Sequence, residues 1–273
     1  MISNPILSVV IPAFRARDTI AAAVRSVGAG GLVAEAVEIV VASDDGGDYA
    51  TVPGLAGCRF TPPGPVRSGC GAARNRALDA ARGGFVTFLD ADDTLEPGYL
   101  AATLRLARRH GLAFGETSVI EDGREILRLP GGRDLGFADL AETGASFRPV
   151  VARARAGHFL NRPSQDTLHT LELLAGAGGR APVAPVACRL CLNPASVTRA
   201  QGFAESLDAV YADYIRQIGA GRTRIGLDFR GAAMAVFEAK RGLNRAFMAG
   251  GRGESYYGFV AHRLARRDRT AAE

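Results

Sequence analysis

The sequence has no tryptophan and one lysine, Lys240, among its 33 basic residues. Aromatic side chains make up only 7% of the chain. Basic and aromatic residues do not interleave as they do on a nucleic-acid stacking platform, so nucleic acid is not expected as a partner. No apolar run approaches the ~20 residues of a membrane span. The start, "MISNPILSVVIPAF", shows neither a basic n-region nor a small-residue cleavage site, so no signal peptide and a cytoplasmic location are expected. Cysteine is scarce: Cys58, Cys70, Cys188 and Cys191. Cys188 and Cys191 form a single C-x-x-C. Cys58 and Cys70 lie too far apart to complete a zinc ribbon, and His158 and His169 add no standard zinc spacing. Four reduced, mostly buried thiols are expected.

What is present is a folded chain. Hydrophobic residues make up 47% of 273, enough for one large α/β domain or two small ones. The net charge is +5 and arises almost wholly from arginine. "ILSVVIPAF", "AVEIVVAS" and "FVTFL" read as buried strands, with "CRF" a short further one. Between them "RDTIAAAVRSVGAGG" and "GCGAARNRALDAARGG" read as helices, the first with Asp18 as its cap. "EPGYLAATLRLARRHG" is a third. Strands apolar throughout and alternating with helices imply a parallel sheet covered on both faces.

The second half is less regular. "TSVIEDGREILRL" predicts a hairpin turning at Asp122-Gly123. "FRPVVARA" and "APVAPVACRLCL" predict extended segments, and "SQDTLHTLELLAGAGG" a helix capped by Ser164. From about Gln201 the chain reads as helices. The tail "ESYYGFVAHRLARRDR" suits a frayed, solvated terminus, the preferred reading, or an interfacial helix on anionic lipid.

"AFRARD", "SDDGGD" and "DADD" all follow predicted strands. In parallel sheets such ends converge on one ligand crevice. Asp90 and Asp92, two residues apart past a strand, suit a hard divalent cation whose other ligands are phosphate and water, so Mg²⁺ or Mn²⁺ is expected. Asp93 is expected only to cap or turn. "FLDADDT" also fits the D-x-D-x-T of haloacid-dehalogenase-type phosphatases, but the downstream lysine and paired aspartates of that mechanism are missing. Nucleotidyltransferases usually place a glycine-rich loop after the first strand, where "IPAFRARDT" has no glycine.

The run "SVVIPAF", "EIVVASDDGGD", "GCGAARNRALDAARGGFVTFLDADD", "EPGYL" resembles the family 2 glycosyltransferases over residues 6–105. The resemblance implies a GT-A fold: an α/β, Rossmann-like, mostly parallel sheet flanked by helices, here with a C-terminal helical extension. It implies residues 1–110 as the nucleotide-sugar (donor) half, 111–200 as the acceptor half of the same domain, and 201–273 as the extension. It also implies metal-dependent, inverting transfer from a nucleoside-diphosphate sugar, UDP first, to a saccharide or lipid-linked acceptor in cell-surface polysaccharide or lipopolysaccharide synthesis. The basic tail would then touch the inner face of the membrane.

Carried onto this sequence, Pro12, Ala13 and Phe14 would line the base pocket, with Phe14 stacking. Asp44 fits the base-binding aspartate without a gap, while Asp45 fits the "DDG" lettering. Arg74 and Asn75 would shape the diphosphate side, Asp90 would hold ribose or metal, and Asp92 the metal. Arg15 replaces a frequent asparagine. Inverting transfer also needs a carboxylate base. Asp166, in "SQDTLHTLELL", is preferred, because Arg189, Pro194 and Ser196 then continue the family pattern; Asp213, in "YADYIRQI", is the other candidate. His169, one turn after Asp166, is expected to be packed, as a lone histidine on a helix more often is, with facing the acceptor as the other reading. Nucleotidyl transfer and non-catalytic nucleotide-sugar binding are the alternative functions.

Overall fold

The computed structural model describes residues 4–130, 132, 134–143, 145–193, 202–251 and 255–272; the side chains of residues 203, 204 and 268–272 lie outside the description. Its frame is a twisted sheet of ten strands. The first half runs β1 (Leu7–Ala13), α1 (Ile20–Gly28), β2 (Val37–Ser43), β3 (Arg59–Phe60), α2 (Cys70–Ala80), β4 (Phe85–Phe88), β5 (Thr94–Leu95) and α3 (Tyr99–His110). The second half runs β6 (Leu112–Glu121), β7 (Arg124–Leu129), β8 (Asp134–Gly136), α4 (Phe137–Thr143), β9 (Pro149–Ala152), α5 (Arg153–Ala156), α6 (Gln165–Gly176) and β10 (Arg180–Leu192). Helices α7 (Phe203–Gly219), α8 (Leu227–Gly250) and α9 (Tyr256–Ala272) close the chain.

The strand order is β3-β2-β1-β4-β9-β6-β10-β5, with β7 beside β6 and β8 beside β10. From β3 to β4 all neighbours are parallel; β9 is antiparallel to both β4 and β6. Strands from both halves therefore share one sheet. Side-chain alternation on β1 builds two cores. Leu7, Val9 and Ile11 pack with α1 and α3 on one face, and Val10 packs on the other with α2, α6 and the C-terminal helices.

The hairpin turns at Asp122-Gly123, both at positive φ, as its sequence requires. Strand β10 stays one strand despite Pro182 and Pro185 because its pairing with β6 shifts register between Ala184 and Ala187. Two expected caps are corrected. Helix α1 starts after Thr19 rather than Asp18, and Ser164 precedes α6 at φ 55° with no capping bond. Its hydroxyl is used elsewhere, 3.1 Å from Tyr211 Oη. The tail is not frayed: α9 buries Tyr256, Tyr257 and Val260, because its apolar residues recur at helical spacing. Among the described residues no helix is long and apolar enough to cross a membrane.

Candidate active site

The loops after β1, β2 and β4 lie side by side at the carboxyl ends of their strands, because those strands are parallel neighbours. Phe14, the first residue beyond β1, is 45% exposed, and the Arg15 guanidinium lies 5.3 Å from its ring centroid. Pro12 and Ala13 are buried in the strand end itself. Arg15 takes φ 51°, and its amide donates to Asp45 Oδ2 at 2.6 Å.

The two aspartates after β2 do different work. Asp45 Oδ2 also accepts from Tyr49 Oη at 2.9 Å; its Oδ1 accepts from Ser43 Oγ at 3.0 Å and Gly47 N at 2.9 Å. Burial pushes the Asp45 pKa up, but these donors outweigh it and hold the pKa below its ordinary value. Asp45 thus ties the first two loops together. Asp44 is buried and turns toward the start of α2, accepting from Ser68 N at 2.9 Å, Ser68 Oγ at 2.5 Å and Gly69 N at 2.9 Å.

Asn75 pins the chain before α6. Its amide donates to Phe159 O at 2.9 Å and accepts from Phe159 N at 2.8 Å. Arg74 is buried on the sheet side of α2; its Nη2 donates to Asp90 Oδ1, and its guanidinium lies 5.2 Å from the Phe159 ring centroid. The other oxygen of Asp90 accepts from Arg148 Nη2 at 2.5 Å, and the same nitrogen reaches Asp93 Oδ2 at 3.0 Å.

Arg148 escaped the sequence reading. Its signal was a lone charge in the apolar run "SFRPVV". What places it is the antiparallel register of β9 on β4: Thr87 lies opposite Val150, which brings Arg148 level with the end of β4. Tyr99, packed against Gly115, donates to Arg148 O at 2.9 Å. A Cβ at Gly115 would lie 2.7 Å from Tyr99 Cζ, so only glycine leaves room for that ring.

Two of the three aspartates, Asp90 and Asp93, thus meet two guanidiniums. Burial pushes the Asp90 pKa up, but Arg148 and Arg74 pull it below its ordinary value. Asp93, expected only to turn the chain, is buried and also accepts from Cys191 N at 3.1 Å. Burial, with Asp90 and Asp92 nearby, moves its pKa up despite Arg148. Asp92 has no guanidinium within ion-pair distance among the described residues; its Oδ2 accepts from Asn193 Nδ2 at 3.3 Å. Burial first, and the Asp90 charge second, raise its pKa.

Among the described residues no cluster of three or more His, Cys, Asp or Glu side chains suits a metal. The residues present fit a cation held by Asp92 with oxygens from substrate and water, the usual mode for Mg²⁺. Both oxygens of Asp90 are already engaged by arginine.

Asp166 stands in the first turn of α6 and lines a crevice with Arg74, Arg148, Phe159 and His169. Asp213 is on α7, paired with Arg162 and, at 2.8 Å, with Arg216 Nη2. His169 does not project into solvent: it is 2% exposed, stacks on Phe159 at 3.9 Å and has Nε2 2.8 Å from Ala156 O. Burial lowers its pKa to about 3. The four cysteines are free thiols, and Cys70 is exposed rather than buried because it opens α2 beside the crevice. Arg189 is half exposed on β10, with Nε 3.8 Å from Glu96 Oε1; Pro194 and Ser196 lie outside the described residues.

Residues 8–140 match the model of glycosyl transferase family 2. That stretch, just under half of the chain, is similar to the family. Two curated proteins are similar to part of the chain. The putative glycosyltransferase EpsH of Bacillus subtilis is 36% identical over 77 residues, 26% of this chain and 22% of the relative. The uncharacterized protein MT1568 of Mycobacterium tuberculosis is 35% identical over 132 residues, 44% of this chain and 39% of the relative. The chain thus spans well under half the length of these curated relatives.

Among solved structures, S. aureus TarS 1–349 in complex with UDP-GlcNAc superposes with a TM-score of 0.64 at 16% identity, over 89% of this chain and 72% of that one. The mannosyltransferase PcManGT of Pyrobaculum calidifontis, in complex with GDP-Man and Mn²⁺, gives 0.54 at 14% identity, over 99% and 81%. At such identities the likeness is one of fold. The chain has the GT-A fold of these structures.

Proposed function

We propose that this chain transfers a glycosyl group, with inversion, from a nucleoside-diphosphate sugar to an acceptor hydroxyl, using Mg²⁺ or Mn²⁺. One observation carries the reading: of the three aspartates after β4, Asp92 alone has no arginine partner among the described residues. Phe14 offers an exposed ring on which the base stacks; Asp45 is the carboxylate that reaches the Arg15 amide beside it, while Asp44 faces the start of α2. Asp92 would hold the cation, which when bound would offset charge developing on the departing diphosphate. Arg74 and Arg148 keep Asp90 and Asp93 fixed around it.

The acceptor hydroxyl attacks the anomeric carbon, and its proton passes to the Asp166 carboxylate. The bond from that carbon to the diphosphate oxygen breaks, and the diphosphate leaves with the electron pair. Asp166 is preferred over Asp213 because two arginines already claim Asp213. UDP is the first candidate nucleotide and GDP the second, in line with the complexes solved for TarS and PcManGT. The acceptor is a saccharide or lipid-linked saccharide of the cell surface, met at the inner face of the membrane, where the basic helix α9 provides contact.

The test is thermal stabilisation by UDP, GDP and dTDP, with and without Mn²⁺, for wild type and Asp92→Asn. Stabilisation by one diphosphate, dependent on Mn²⁺ and lost in Asp92→Asn, is expected. No metal-dependent shift with any of the three would sink the reading.

A further inference from the structure

The two carboxylates that the family resemblance offers to the base are already engaged. Asp45 accepts four hydrogen bonds, two on each oxygen, from Arg15 N, Tyr49 Oη, Ser43 Oγ and Gly47 N. A carboxylate has about four lone-pair sites, so Asp45 keeps none for a ligand. Asp44 accepts three, from Ser68 and Gly69, and its side chain is 7% exposed. The edge of a base on Phe14 therefore needs another partner.

Arg15 stands next to that ring. It holds φ 51°, a left-handed conformation that strains a residue with a Cβ and persists only where its surroundings impose it. Asp45 imposes it here. Its Oδ2 accepts from the Arg15 amide at 2.6 Å and from the Tyr49 hydroxyl at 2.9 Å, and that hydroxyl accepts from the Ala16 amide at 3.0 Å. The backbone is thus tied at Arg15 and at the next residue, and the guanidinium lies 5.3 Å from the Phe14 ring centroid. Among the described residues that guanidinium makes no hydrogen bond or ion pair; its contact is with the ring. The Arg17 guanidinium, by contrast, is spent on Asp48 O at 2.9 Å and Thr51 Oγ1 at 3.0 Å. Arg67 also holds a positive φ, 55°, but the ring contact is that of Arg15.

We infer that Arg15 determines which nucleobase the chain accepts. The inference rests on the proposed function, in which the base stacks on Phe14. An exposed cation–π contact is weak, so the base takes the ring face from the guanidinium at little cost. The guanidinium then meets the edge of the base. It is planar and always charged, with N–H donors and no acceptor. It therefore pairs with carbonyl oxygens: O4 of uracil or thymine, or O6 of guanine together with N7. Adenine places an amino group at that edge, and its hydrogens oppose those of the guanidinium. The donor class is thus a sugar nucleotide whose base carries a carbonyl at this edge, and adenine nucleotides are selected against.

Calorimetric Kd values for UDP, GDP and ADP, each with Mn²⁺, test this on wild type, Arg15→Asn and Arg15→Gln. Asparagine tolerates positive φ, so Arg15→Asn keeps the turn. Wild type should bind UDP or GDP at least about tenfold more tightly than ADP. In Arg15→Asn that preferred diphosphate should weaken about tenfold, while ADP moves by less than about threefold. In Arg15→Gln, ADP should bind more tightly than in wild type, because the side-chain amide accepts from the adenine amino group.

A guanidinium that only attracts the diphosphate by its charge would give another result: all three nucleotides weaken alike and their ranking stays. That result overturns the inference, as does a wild type with no preference against ADP. If Arg15→Asn does not fold, the ranking in Arg15→Gln decides. Asp92→Asn separates the two levels. If UDP or GDP binding needs Mn²⁺ and Asp92 while the Arg15 variants keep the wild-type ranking, only the role of Arg15 falls. If no diphosphate binds wild type with Mn²⁺, the proposed function itself falls, and this inference with it.

Discussion

Arg148 Nη2 lies 2.5 Å from Asp90 Oδ2, so a residue from the second half of the chain neutralises the first aspartate of the motif that ends the first half. Arg74 takes the other oxygen. Asp90 is therefore the structural member of the cluster, and Asp92 the member open to a cation. Arg148→Met should leave Asp90 and Asp93 buried with one guanidinium between them. Removing one partner of a buried ion pair costs about 3–5 kcal/mol. Urea denaturation of the two proteins measures it; a loss under about 1 kcal/mol would show that the clamp is not what holds this loop.

Gly71 couples α2 to the helix of the candidate base. A Cβ there would lie 2.7 Å from Leu160 O and would also collide with the Gln165 amide. Gly71→Ala should push the start of α6 outward. A destabilisation of about 1–3 kcal/mol is expected from such overpacking, with a fall in kcat because Asp166 is adjacent to Gln165. Thermal denaturation beside steady-state assays checks both.

Glu38 sits at the opposite end of the sheet. Its carboxylate accepts from Ser8 Oγ at 2.6 Å, Arg59 Nη1 at 2.6 Å and Arg82 N at 2.5 Å. Burial acts to raise its pKa, but these donors bring it down to about 2 from 4.5. A depressed carboxylate stabilises fully above its unfolded pKa and loses that contribution as pH falls through the folded value. Glu38→Gln should therefore be less stable than wild type at pH 7, with the gap closing between about 4.5 and 2. Urea midpoints at stepped pH give the curve; a gap independent of pH contradicts the assignment.

His169 carries the opposite kind of group. It is held neutral by burial, with a folded pKa of about 3 against an ordinary 6.5. The unfolded chain gains a proton below 6.5 that the folded chain does not accept until about 3. Stability from this residue is complete above 6.5 and falls toward 3, by up to about 1.4 kcal/mol per pH unit. His169→Phe, which keeps a ring against Phe159, should flatten the fall between pH 6 and 4. Parallel slopes for the two proteins would show that another group controls it.

Much of the molecule was legible in the chain itself. Continuous apolar runs such as "LSVVIPA" announce strands buried on both faces, and the polar clusters at their ends announce a shared crevice. The motif pattern pointed to a resemblance with family 2 and to the GT-A fold. Local chemistry located the Asp122-Gly123 turn, because few residues accept positive φ. These features depend on near neighbours in sequence, and sequence order preserves them.

Tertiary structure alone separated the three carboxylates by their partners. Asp90, Asp92 and Asp93 are equivalent in lettering; Arg148, 58 positions from Asp90, separates them only once β9 pairs antiparallel with β4. It packed His169 into the core, the preferred of its two readings, and turned Ser164 from a cap into a partner of Tyr211. Charge and burial act through space. A sequence fixes which groups exist, and only the packed chain determines which of them meet and which keep their charge.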